Sequence, residues 1–96
     1  MITAKYKVAH IHEQGQDMII FPVDGKFDRM TGSEQDEELS VLGFQANRAG
    51  LRAAAFAVWG AGAGRMGFLG PQQWHPFLQG LSLRLVMAKL NKEISW

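Results

Sequence analysis

Residues 53–59, AAAFAVW, are apolar on both parities of an alternating chain. Phe56 and Val58 fall on one side; Ala53, Ala55, Ala57 and Trp59 fall on the other. Successive side chains of a strand point to opposite faces, so this run reads as a central strand covered on both sides. Any fold for the chain has to supply those two covers.

The flanking segments give the partners. Residues 5–13 alternate around Tyr6, Val8 and Ile11, and residues 17–23, DMIIFPV, are β-branched and aromatic, so both read as strands. Gln14-Gly15-Gln16 between them is a turn signal, with Gly15 expected at positive φ. Pro22 has no N–H for a ladder and belongs near a strand end. Residues 24–32 read as loop. Ser33 reads as a helix N-cap, with Glu34, Asp36 and Glu37 in the first turn, where the macrodipole favours carboxylates. Leu39, Leu42, Ala46 and Ala49 then mark one helical face, and Gly50 is the natural residue after the helix. Gly43 weakens that helix by about 1 kcal/mol relative to Ala, which a close packing partner would explain. Residues 60–64 read as a hairpin loop and 65–69 as a fourth strand. A short helix fits around 75–79. Ser82 caps a last helix over 82–93, whose stripe is Leu83, Val86, Met87, Leu90 and Ile94.

The order ββαββα predicts an α+β fold of two layers: a four-stranded, mostly antiparallel sheet with helices on one face. At 96 residues it is a single domain, 1–96. Strands one to three carry large apolar residues on both parities, so the face opposite the helices needs a cover too. Either residues 72–81 fold back over it or a second copy does, and a homodimer is the expectation. Ile94 and Trp96, bulky residues near the end of the chain, support it.

Composition removes several classes of function. There is no cysteine, hence no disulfide, zinc–thiolate site or thiol nucleophile. Net charge is +1; residues 1–48 carry five basic against eight acidic residues, and residues 49–96 five against Glu93 alone. That bias is too mild for a nucleic-acid footprint, and no nucleic-acid partner is expected. The most apolar stretch, residues 53–64, is too short to span a bilayer, and residues 1–13 lack the apolar core of a secretory signal. A cytoplasmic protein without membrane contact is expected.

Few motifs suggest chemistry. Gly62-Ala-Gly64-Arg-Met-Gly67 matches G-x-G-x-x-G, but a strand-like run follows it and the next acid is Glu93, so a hairpin tip is the better account. His10 and His12 share a strand face, yet only His75 remains as a third imidazole, and no metal or other cofactor is expected. No nucleophile elbow accompanies the serines, and no catalytic residue is assigned. The unusual cluster is Trp74-His75-Pro76-Phe77. With Trp59, Phe68 and the charged Arg65 it could line a ligand pocket near the second hairpin, or it could be core.

Gly64-Arg-Met-Gly-Phe68, Trp74-His-Pro-Phe77 and Leu90-Asn-Lys-Glu-Ile-Ser-Trp96 together resemble small stand-alone bacterial proteins of the kind carried in integron mobile gene cassettes. The resemblance spans the chain and brings no catalytic residues. It implies a cytoplasmic accessory protein. The leading expectation is thus a non-catalytic binding protein acting as a homodimer; the rival is a small-molecule or enzymatic pocket lined by Trp59, Arg65, Phe68, Trp74, His75 and Phe77.

Overall fold

A computed structural model describes residues 5–13, 15–51, 53–62 and 64–95. Gln14, Ala63 and Trp96, which figure in the expectations above, lie outside the described residues. Strands β1 (Lys5–Glu13) and β2 (Gln16–Pro22) form the first hairpin, and Gly15 turns it at φ 77°. Helix α1 (Gly32–Arg48) leads to β3 (Ala54–Gly60), which pairs with β2 in parallel, Met18 opposite Ala54 through Pro22 opposite Val58. Strand β4 (Met66–Leu69) returns antiparallel to β3 around Gly62 and Gly64, both at positive φ. Helices α2 (His75–Gln79) and α3 (Leu83–Ala88) precede β5 (Lys92–Ser95), which pairs antiparallel with β1. The sheet order is β4-β3-β2-β1-β5.

The α+β class holds, with three corrections. First, the sheet has five strands and is mixed. A parallel neighbour needs a crossover, and the stretch containing α1 supplies one between β2 and β3. Pro22 lies beyond Ile20, whose partner Ala9 is the last pair towards that end of the β1–β2 ladder, so its missing N–H costs nothing there.

Second, the last helix stops at Ala88 and the chain resumes as β5. Ser82 caps it as expected, its Oγ accepting from the Leu85 N–H at 3.2 Å. Only part of the proposed stripe is helical: Val86 is buried, Met87 is 51% exposed, and Ile94 is buried in β5 opposite Tyr6. Asn91 decides the switch. Its Oδ1 accepts from the His10 N–H at 2.8 Å, and its Nδ2 donates to the His10 carbonyl at 2.9 Å. A side-chain amide thus extends the ladder along β1, and strand pairing replaces further helix.

Third, helices cover both faces. On one, α1 lays Leu42 and Ala46 over Val8, Ile19, Phe21 and Ile94. On the other, Trp74, Leu78 and Val86 cover Ala9, Met18, Ile20, Phe56 and Val58. The apolar character of both parities in β2 and β3 demanded this, and residues 72–86 of the same chain provide the second layer. The bare face that motivated a homodimer is absent among the described residues.

The N-cap of helix α1 is Thr31, two residues before the expected Ser33. Thr31 Oγ1 accepts from the Glu34 N–H at 3.1 Å, and Glu34 Oε1 accepts from the Thr31 N–H at 2.9 Å. This is a capping box on the spacing T-x-x-E, and it satisfies two donors reciprocally where Ser33 would satisfy one. Those bonds to Thr31 hold the Glu34 carboxyl below its usual range. Gly43 has the expected close partner: a Cβ there would stand 3.3 Å from that of Ala55.

Candidate functional site

The six residues proposed from sequence do not form one site. Trp59 lies on the α1 side of the sheet, in a cluster with Phe27 and Ala57. Phe68, Trp74 and Phe77 lie on the opposite side, in the α2–α3 core. Trp74 meets Phe77 edge-on at 6.2 Å, and Phe68 meets His75 edge-on at 5.2 Å. His75 Nε2 donates to the Gly70 carbonyl at 3.1 Å. These contacts are those of packing: Trp74 is buried and Phe68, His75 and Phe77 are half-buried. Arg65 is exposed in the second hairpin, where its backbone closes the turn with Ala61 and Gly62.

The structure draws a different set of residues together at the carboxyl ends of the parallel strands β2 and β3. Val23 continues the parallel pairing by donating its N–H to the Val58 carbonyl at 2.8 Å. The chain then makes a 3-10 helix, Gly25–Arg29, capped by Asp24, whose Oδ1 accepts from the Lys26 N–H at 2.8 Å. Phe27 is buried under it, with its ring centroid 4.8 Å from that of Trp59. The Trp59 Nε1–H donates to Asp28 Oδ1 at 3.1 Å, and the Gln35 side chain donates to the Phe27 carbonyl at 2.8 Å. Gly67 makes room for the indole: a Cβ there would lie 2.3 Å from ring atoms of Trp59. Gly25 in turn approaches Gly60 so closely that a Cβ would stand 3.3 Å from the Gly60 carbonyl oxygen. The turn after β2 is therefore tied to the end of β3 by a tilted ring contact, an indole hydrogen bond and a tight backbone approach.

Two depressions flank this turn. One, of about 490 Å³, is lined by Asp24, Lys26, Asp28, Arg29 and the backbone of Gly60 and Gly62. The other, of about 350 Å³, has an apolar lining of Tyr6, Val23, Phe27 and Met30, with Glu38 of α1 beside it; Asp24 and Lys26 line both. Among the described residues the sole ion pair is His12 with Asp17, so none of these charged side chains is paired.

That ion pair sits on the first hairpin, where His12 Nδ1 donates to Asp17 Oδ1 at 2.7 Å. The hydrogen bond, aided by the charges of His12 and His10, holds the Asp17 carboxyl below its usual range. His75 lies in α2, in the layer opposite α1, and among the described residues no three His, Asp or Glu side chains gather as a metal site would require. No described helix is long and apolar enough to cross a membrane.

The junction was missed because residues 24–32 read as plain loop. Its signal lay in Asp24-Gly-Lys-Phe-Asp-Arg29, alternating charges around one aromatic, placed between a strand and a helix start. Comparison with protein-family models, curated proteins and solved structures finds no match to this chain.

Proposed function

We propose that the chain is a small, cytoplasmic, non-catalytic binding protein whose ligand seat is the junction between the turn after β2 and the second hairpin. One observation carries this: the turn Gly25–Arg29 is fixed to Trp59 by the tilted Phe27–Trp59 ring contact and by the Asp28–indole bond. Such a wall is formed before any ligand arrives, and preorganisation lowers the cost of binding. The position corresponds to the place where open α/β sheets bind ligands, beyond the carboxyl ends of parallel strands, here the single parallel pair β2–β3. An accessory role, as in the cassette proteins that the sequence resembles, is compatible with a seat that holds no assembled catalytic pair.

A fragment screen followed by amide NMR tests the reading. Binding should move the amides of residues 24–29 and 60–62. Shifts confined to Phe68, Trp74, His75 and Phe77 would favour the aromatic pocket of the rival reading.

A homodimer remains part of the proposal on different ground, because both sheet faces are already covered. The large apolar side chains exposed among the described residues are Val41 and Phe44 on α1 and Leu85 and Met87 on α3. Light scattering over a dilution series checks it, and a mass near 10.7 kDa throughout would sink it.

A further inference from the structure

Four charges of both signs, none in an ion pair among the described residues, line the larger depression: Asp24 and Asp28 against Lys26 and Arg29. An anion entering it would meet two carboxylates, and a cation would meet an ammonium and a guanidinium. Like charges at close range disfavour either kind of ligand. A molecule carrying both signs meets no such conflict, since its own ammonium and carboxylate can each find an opposite partner. The smaller depression supplies the other half of the description. Its lining of Tyr6, Val23, Phe27 and Met30 is apolar, and it shares Asp24 and Lys26 with the charged one. Glycine at positions 60 and 62 leaves backbone without side chains at the charged end, where a small head group can approach.

We infer that the junction binds a small zwitterion with an apolar tail, of the class of an α-amino acid with a bulky aliphatic or aromatic side chain. This rests on the junction being the ligand seat. Arg29 and Lys26 hold the carboxylate, and Asp24 and Asp28 hold the ammonium. The tail lies along Phe27 and Met30. The Asp28–Trp59 hydrogen bond leaves the second carboxylate oxygen of Asp28 for the ligand, and Asp24, which caps the turn through Oδ1, has its Oδ2 free in the same way.

The test is a set of amide NMR titrations of the whole chain with L-leucine, N-acetyl-L-leucine, L-leucinamide and glycine. L-leucine should give saturable shifts at residues 24–29 and 60–62. The two blocked forms, each lacking one charge, should bind about tenfold or more weakly, and so should glycine, which lacks the tail. Arg29→Ala should weaken L-leucine about tenfold and leave L-leucinamide unchanged, with the melting temperature preserved because Arg29 is exposed and unpaired. Equal binding of leucine and its blocked forms would overturn the inference. So would no response to leucine: if uncharged fragments still move the same amides, the seat stands and its ligand class is wrong. Silence towards amino acids and fragments alike would remove the seat as well.

Discussion

The two covers of the sheet solve the same problem by opposite means. Helix α1 has 17 residues, a capping box and small contact residues, Gly43 against Ala55 and Ala46 in the core. It is long enough to have some helical preference of its own. The other cover has helices of five and six residues, and chains that short do not hold a helix in water unaided. Bulk compensates there: Trp74, Leu78 and Val86 are buried, and Phe77, Leu81, Leu83 and Leu90 pack against them. One layer is helical first and packed second; the other is helical because it is packed. Glycines in and beside β4 show the same division on a smaller scale. The Trp59 ring occupies the space a Cβ of Gly67 would need on the α1 side, and the Phe56 ring does so at Gly70.

The largest test of this contrast is truncation of each layer's central leucine. Leu78→Ala and Leu42→Ala should each cost about 2–5 kcal/mol, measured by urea unfolding. Leu78→Ala should also melt α2 and α3, read as loss of hydrogen-exchange protection there, whereas Leu42→Ala should leave α1 protected. Equal loss of protection in the two layers would erase the distinction. Next comes Gly67→Ala, which drives a methyl group into the buried indole of Trp59. Overpacking of this kind costs about 1–3 kcal/mol. It should also release the Asp28 hydrogen bond, seen as a shift of the Trp59 Nε1–H resonance, while the α2–α3 layer keeps its protection. Thr31→Ala removes half of the capping box and should cost about 1 kcal/mol, with fraying confined to the first turn of α1.

The smallest effect concerns the hairpin outside both covers. Asp17 titrates below its usual range in the folded chain, so its contribution to stability is present above the unfolded carboxylate pKa and is lost as pH falls through the folded value. His12→Ala should flatten the stability profile as pH falls below the unfolded carboxylate pKa. Both partners are exposed, so the difference should shrink further in 1 M salt. A profile unchanged by the substitution would mean that the pair contributes nothing.

What the sequence disclosed was local. Periodicity found β1 to β4, α1 and the short α2, and the turn at Gly15 and the neighbour of Gly43 followed from backbone physics. It failed where a distant partner chose between two local options. Leu83, Val86, Leu90 and Ile94 satisfy a helical stripe; only β1 makes residues 92–95 a strand, through contacts such as Asn91 with His10, 81 positions away. Two apolar parities announced two covers but not that residues 72–86 would supply the second. The candidate residues divide between two faces for a related reason. Adjacent aromatics such as Trp59 and Phe68 look like neighbours until strand register puts them on opposite faces. The 3-10 turn that carries the charged seat is too short to have a period at all.

The amide clamp at Asn91 also has a consequence in time. During synthesis the first hairpin can close once residue 22 has left the ribosome, yet the free edge of β1 stays open until residues 91–95 arrive to occupy it. Until then, the strand beside β2 offers unsatisfied N–H and carbonyl groups to any passing extended segment. Residues 91–95 complete the β1 edge of this sheet, so a chain that lacks them should show aggregation before it shows lost ligand binding.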